Sequence, residues 1–369
     1  MKKRYSIPLI ILSAMAVINI VSWLSVSFSD FYVMKIFPYI SDVFSFISGL
    51  FPFSLGEVMI TAGVFAVLLG IPLFIVMLIV RKGSRKKTAG VFSCCFLWII
   101  TFIITTETLN CFIMYHCTPF SDRYFSCGEE HTRSELTGLY SALIDKSNEL
   151  AGTVERDENG CFVLSEDINA PAKNAMKKAA ESYPQLSGYY PDAKAINFSY
   201  FMSQSGLLGI YFPFSLESNY NNDMCKINLP NTICHEYAHL KGVIQEDEAG
   251  FIAFIASTGS DSTDLQYSGY LNALEYVHNQ IYSNGITEAY YLTDKISDNV
   301  KNDWFHFLPD NYWEENKEKE IISTETVDTI SSAATDTSLK INGVEDGIES
   351  YSRIVNLLLD YYVQCGKKI

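Results

Sequence analysis

Residues 231–254 read NTICHEYAHLKGVIQEDEAGFIAF, and the way this stretch divides into helices decides the reading of the whole chain. His235 and His239 stand four apart, so on a helix they share one face and their imidazoles can hold one metal ion, with Glu236 turned toward a water on that ion. Asn231 or Thr232 can cap this helix, and Gly242 should end it. A second helix is expected from Glu246, with Ala249, Ala253 and Ala256 forming a small-residue face for close packing. A catalytic zinc site has three protein ligands and an open fourth position. Glu246, Asp247 and Glu248 all offer a carboxylate, while Gln245 stands where the HExxHxxGxxH pattern would place a third histidine. Glu246 is the choice, because Glu246, Ala249 and Ala253 fall on one face. Glu248 is the reserve, and Asp247 is a second acceptor for an imidazole N–H. The same acids also suit a helix N-terminus through its dipole.

Outward from this stretch the chain divides in two. It has 369 residues, 48% hydrophobic and 19% charged, with a formal net charge of −15, which excludes global disorder. Residues 1–114 carry nine Lys or Arg against four Asp or Glu; the remainder carries 18 against 38. That acidic remainder excludes electrostatic nucleic-acid binding. Three apolar runs, about 5–28, 55–80 and 91–114, each approach the roughly 20 residues that cross a bilayer as a helix. The first is longer than the core of a cleaved signal peptide and reads as an anchor. Lys2, Lys3 and Arg4, and then Arg81, Lys82, Arg85, Lys86 and Lys87, place those loops in the cytoplasm. Residues 29–54 should then lie outside, partly in the membrane interface, and 116–369 should form an extracytoplasmic domain after a 1–115 membrane domain.

Helical spacing is expected over residues 134–154, 169–183, 264–282, 287–302 and 350–363. Residues 194–221 are aromatic and β-branched and predict one or two strands with a bend. The Ser-, Thr- and Glu-rich stretch 317–340 reads as a weakly ordered insertion. Nine cysteines include no CxxC pair; Cys117 and Cys127 are close enough for a bridge, and inert thiols are the equal alternative. His116, His131 and His306 read as ordinary, and Glu107 as a polar group near the outer end of the third span. The expected fold is α+β and mostly helical: three membrane helices, then a zincin-like domain with a small sheet.

The segment HEYAHLKGVIQEDEAGFIAF resembles gluzincin-type zinc peptidases, in which a helical Glu-x-x-Ala segment supplies the third ligand. More closely, the chain resembles a bacterial membrane-protein family catalogued as a domain of unknown function (number 3810). The matching segments are PFSLGE at 52–57, the HExxHxxG and EDEA segments at 235–249, YSGYL at 267–271, and a C-terminal segment at 350–359. Gly250 departs from the Asn or Asp usual after EDEA. The resemblance implies a zinc-peptidase-like fold and no substrate. The function expected is zinc-dependent hydrolysis of peptide bonds outside the cytoplasmic membrane, with one Zn2+ on His235, His239 and Glu246 and with Glu236 as general base. Tyr267, Tyr270 and His278 are candidate transition-state stabilisers. Gly209 and Tyr211, in a strand before the motif, are candidates for holding an extended peptide or protein substrate. The alternative is a zinc-binding receptor or envelope scaffold without catalysis.

Overall fold

The computed structural model describes residues 3–126, 131–344, 353–367 and 369; helices of eight or more residues are numbered here. Cys127 of the suggested bridge, and the start of the expected helix at Ser350, lie outside the described residues. Three helices are long and apolar enough to cross a membrane: Arg4–Leu24, Leu55–Val80 and Lys82–Tyr115. The first belongs to α1 (Lys3–Leu24). It ends four residues before the expected Phe28, because Ser25 accepts the Phe28 N–H and caps a new helix, α2 (Val26–Lys35). Next come α3 (Phe37–Gly49) and then α4 (Leu55–Val80), of whose most apolar window nothing is buried in the protein. α5 (Arg85–Glu107) starts six residues before the expected third span, since Arg85, Lys86 and Lys87 extend the helix as good helix formers. A π-helical turn, Thr108–Phe112, then carries the chain to Ile113–Tyr115.

The expected loop at 29–54 is helical and belongs to the protein core. Tyr32, Val33 and Phe37 pack in one apolar cluster with Ile113, Met114, Tyr237 and Leu240. Ser41, Ser45 and Ser48 recur at helical spacing on the buried face of α3. Ser41 Oγ donates to Leu240 O at 2.6 Å and Ser45 Oγ to Leu216 O at 3.0 Å. Tyr39, Val43, Phe44, Phe46 and Ile47 on the same helix are exposed.

The PFSLGE segment is where the second span is fastened. Ser54 Oγ accepts the Glu57 N–H and caps α4. The buried Glu217 carboxylate accepts the Leu55 and Gly56 N–H groups at 3.1 and 2.8 Å and pairs with Lys194 at 2.5 Å. This satisfies free helix-terminal donors and opposes the positive end of the helix dipole. Glu57 accepts from Asn197 Nδ2 and the Phe198 N–H, both at 2.8 Å.

Beyond the spans come α6 (Arg133–Ala151), opened by a Thr132/Glu135 capping box, and α7 (Asn169–Ser182). A three-stranded sheet follows in the order β1-β3-β2, with β1 Lys194–Ile196 parallel to β3 Glu217–Asn221 and β2 Gly209–Phe212 antiparallel to it. β2 is therefore an edge strand. The motif helices follow: α8 (Leu229–Leu240), α9 (Glu246–Thr258) and α10 (Thr263–Ser283). The expected helix at 287–302 divides into a 3-10 segment, Thr287–Lys295, and a short helix, Asp298–Asp303. The stretch read as a weak insertion forms α11 (Thr324–Ile341), capped by Ser323 and burying Val327 and Leu339. Its Ser and Thr residues lie on a helix with only a narrow apolar stripe, which obscures the helical period. α12 (Ile354–Gln364) closes the described chain. α9 joins two cores: Ala249, Ile252, Ala253 and Ala256 face the first, Phe251 and Phe254 the second.

Candidate metal centre

The cap of α8 lies three residues before Asn231 and four before Thr232, the expected caps. Pro230 sits in its first turn, where a missing N–H costs nothing, and Asn228 is the cap residue. It ends at Leu240, and Gly242 takes the left-handed conformation (φ 81°) while its N–H bonds to His239 O at 3.0 Å. A Cβ on Gly242 would lie 2.6 Å from Val33 Cγ2, so α2 also requires glycine there. Three residues later α9 starts with Glu246, and its alanines let it lie against α8.

This reversal converges three ligand atoms. His235 Nε2 is 3.0 Å from Glu246 Oε2 and 3.1 Å from His239 Nε2, and His239 Nε2 is 3.6 Å from the same carboxylate oxygen. Ligands at the usual zinc distances in a tetrahedral arrangement lie about 3.3 Å apart, so the triangle fits such an ion. His239 Nδ1 lies 2.7 Å from Val243 O. Donation from Nδ1 to that carbonyl directs Nε2 at the cluster, where it can serve a metal once its proton is displaced. Burial acts against charge on Glu246, but His239 and His235 outweigh it and hold the carboxyl well below the usual carboxylate range. Burial likewise disfavours charge on His239, yet Glu246 and Glu236 carry its imidazole up to about 9. The pocket therefore favours positive charge where the three atoms meet, and protons compete with a metal for it.

Glu236 occupies the remaining side. Burial pushes its carboxyl up to about 7, it accepts from the Tyr211 backbone, and its Oε2 has no partner. A Cβ on Gly209 would come within 2.8 Å of Glu236 Cδ, so a side chain there would push the Glu236 carboxyl from its place. A cavity of about 680 Å³ opens here, lined by Gly209, Tyr211, His235, Glu236, His239 and Glu246. Tyr211 donates to Asn110 O at 3.1 Å, while Asn110 Nδ2 donates to Pro213 O at 2.6 Å. The π-helical turn at the end of the third span is thereby tied to the strand beside the site.

Among the three acids, only Glu246 faces the imidazoles. Asp247 instead meets Arg353 at 3.2 Å, and the backbone carbonyl of Val243 takes the role of imidazole acceptor expected of Asp247. Glu248 points to the short helix Phe120–Tyr124, where it accepts the Ser121 N–H at 2.8 Å and the Ser121 hydroxyl at 2.5 Å. Consecutive helical residues diverge by about 100°, so the three cannot share one target.

The proposed stabilisers Tyr267, Tyr270 and His278 lie outside the cavity. Tyr267 donates to Asp303 at 2.6 Å, Tyr270 packs edge-on against Phe254, and His278 bonds Tyr140 at 2.7 Å and stacks on Tyr282. They occupy or flank the second core, on the α10 face away from the site. The YSGYL segment is accordingly a packing motif: Ser268 Oγ donates to Ile227 O at 2.5 Å, and a Cβ on Gly269 would collide with Ser257. The α10 residues that do line the cavity are Ser268, Leu271, Asn272, Glu275 and Tyr276. Tyr276 is pushed up to about 12 by burial and by the charges of Glu275 and Glu246, so it stays an O–H donor. The spacing 268, 272, 275 and 276 already marks one helix face; only the position of α8 shows that it is the one turned to the site.

The fold and site define a mostly helical protein with three helices long and apolar enough to cross a membrane and a two-histidine, one-glutamate cluster that lines a cavity. The chain belongs to the family described as Protein of unknown function (DUF3810), whose model matches residues 32–359. No curated protein and no solved structure matches the chain.

Proposed function

We propose that the protein is a membrane-anchored zinc-dependent peptidase that hydrolyses peptide bonds on the outer side of the cytoplasmic membrane. The observation that carries this reading is the convergence of His235, His239 and Glu246 within 3.0–3.6 Å, with the unpartnered Glu236 oxygen beside them in the cavity. His235, His239 and Glu246 would hold the ion. Bound zinc supplies Lewis-acid polarisation of the scissile carbonyl and an acidified water. Glu236 would take a proton from the attacking water and pass it to the leaving amine. Its raised pKa suits both roles. The outer edge of β2, at Gly209 and Tyr211, would align an extended peptide by backbone hydrogen bonds once the peptide displaces Glu236 from the Tyr211 N–H. Tyr276 replaces the earlier candidates as the hydroxyl facing the reaction from α10. The basic clusters at residues 2–4 and 81–87 lie at the span ends opposite to the one carrying the domain, which supports an extracytoplasmic site.

The test uses the full-length chain in detergent, with bound metal measured by mass spectrometry and cleavage read on a random peptide pool. Wild type should hold one zinc per chain and cleave; Glu236→Gln should hold zinc and lose cleavage by about 10²- to 10⁴-fold. Well-folded wild type without zinc overturns the metal assignment. Stoichiometric zinc with no cleavage in either form assigns the site to a receptor or scaffold.

A further inference from the structure

The charges around the cavity do not balance. Its lining contains Glu236, Glu246, Glu275 and Asp303 and neither a Lys nor an Arg. Asp303 is neutralised by Arg156, at 2.6 and 3.1 Å. If a divalent ion occupies the three-ligand site, its two charges balance Glu246 and Glu236. Glu275 is the carboxylate left over. Among the described residues it has no ion-pair or hydrogen-bond partner, and it is half-buried on the same face of α10 as Asn272 and Tyr276. Burial raises its pKa, so ionisation there costs solvation that no neighbouring cation restores.

We propose that Glu275 is a substrate-recognition residue that holds a cationic group, a lysine or arginine side chain or a free amine, of the peptide bound across the metal centre. This rests on the peptidase reading and narrows its substrate class. The cationic group restores the charge that the cavity lacks, and the absence of Lys and Arg from the lining excludes an anionic residue at the same subsite. Glu275 sits beside Tyr276, whose hydroxyl feels the charges of both Glu275 and Glu246. Glu275 and the three ligand residues line one cavity, so a peptide bound across the cluster can present its cationic group to Glu275. Nothing in this role requires Glu275 to touch the reacting atoms: it acts on binding.

The experiment compares zinc-loaded full-length wild type with Glu275→Gln on matched peptides in which one position at a time is lysine, acetyl-lysine or glutamate. Wild type should favour lysine over acetyl-lysine at one position by about 10- to 100-fold, as a charge-assisted contact supplies, mostly through KM. Glu275→Gln should keep its zinc and reduce that preference to a few-fold. Glu275→Lys should favour glutamate instead. A wild type with no lysine preference at any position, or a Glu275→Gln protein that retains it, overturns the proposal. If nothing is cleaved, affinity of the same peptides for zinc-loaded Glu236→Gln and for the Glu236→Gln/Glu275→Gln double variant decides the matter by the same ratios. A lysine preference lost in the double variant then supports the subsite while the peptidase reading fails.

Discussion

Helices α3 and α8 touch end to side, and they are built on opposite rules. α3 buries Ser41, Ser45 and Ser48 and turns Tyr39, Val43, Phe44, Phe46 and Ile47 outward. α8 buries every residue from Leu229 to Leu240 except His235, which stays half-exposed to the cavity. In water the outward face of α3 would cost about 25 cal/mol for each Å² of apolar surface. In hydrocarbon, which three helices of this chain are long and apolar enough to cross, that face of α3 would carry no such cost. Its serines then have only protein to bond, and they bond the carbonyls at Leu240 and Leu216. Helix α3 is therefore part of the site's support, and the end of the motif helix rests on it.

The largest effects should arise in α8 and α9, where a few atoms define the site. His239→Ala and Glu246→Ala should each lose zinc on dialysis and reduce cleavage to background, whereas Asp247→Ala and Glu248→Ala should keep one zinc per chain. Metal content read on all four variants tests this, and loss of zinc only with Glu248→Ala would reverse the assignment. Next is Gly209→Ala. Its methyl group displaces the Glu236 carboxyl by enough to cost about 10²-fold in kcat while zinc remains bound. An unchanged kcat would mean that Glu236 need not stand where it does.

The His235, His239 and Glu246 cluster was legible in the sequence from spacing alone: two histidines four apart on one helix face, a turn at Gly242, an acid opening the next helix. The three long apolar helices were legible because length and apolarity are read directly from the sequence. What escaped were elements whose neighbours decide their role. Ser41, Ser45 and Ser48 looked like a loop because a polar buried face reverses the ordinary pattern. Tyr267, Tyr270 and His278 looked eligible because sequence supplies the period of α10 but not which side meets α8. Glu275 lies on the face marked by 268, 272, 275 and 276, and the sequence does not say what that face meets.

A smaller effect separates Glu248 from Glu246 by pH. Burial pushes Glu248 up to about 7 in spite of the bonds from Ser121. Its folded pKa exceeds the unfolded value, so its contribution is fully present below about pH 4.5 and declines as pH rises toward 7. The span corresponds to a stability change on the order of 3 kcal/mol. Glu248→Gln stays neutral throughout, so relative to wild type it should gain thermal stability between pH 5 and 8. A stability difference between the two proteins that is constant across that range would show that Glu248 titrates normally.

The smallest effect bears most directly on the contrast between the two helices. Ser41→Ala deletes a hydroxyl and adds nothing, a change that a solvent-facing helix position would accept within about 0.5 kcal/mol. Here it leaves the Leu240 carbonyl buried without that donor, at the end of the helix that carries both histidines, and should cost about 1–2 kcal/mol in detergent. Phe44→Ser removes a large apolar ring, which in a core would cost several kcal/mol. On the outward face of α3 it should change detergent-solution stability by less than Ser41→Ala does, because detergent covers the ring in folded and unfolded chains alike. Thermal unfolding of the two variants side by side reads the order. If Phe44→Ser is the more damaging, α3 faces the protein with its aromatic side, and the serine bonds to the motif helix cannot be what seats the site on the membrane.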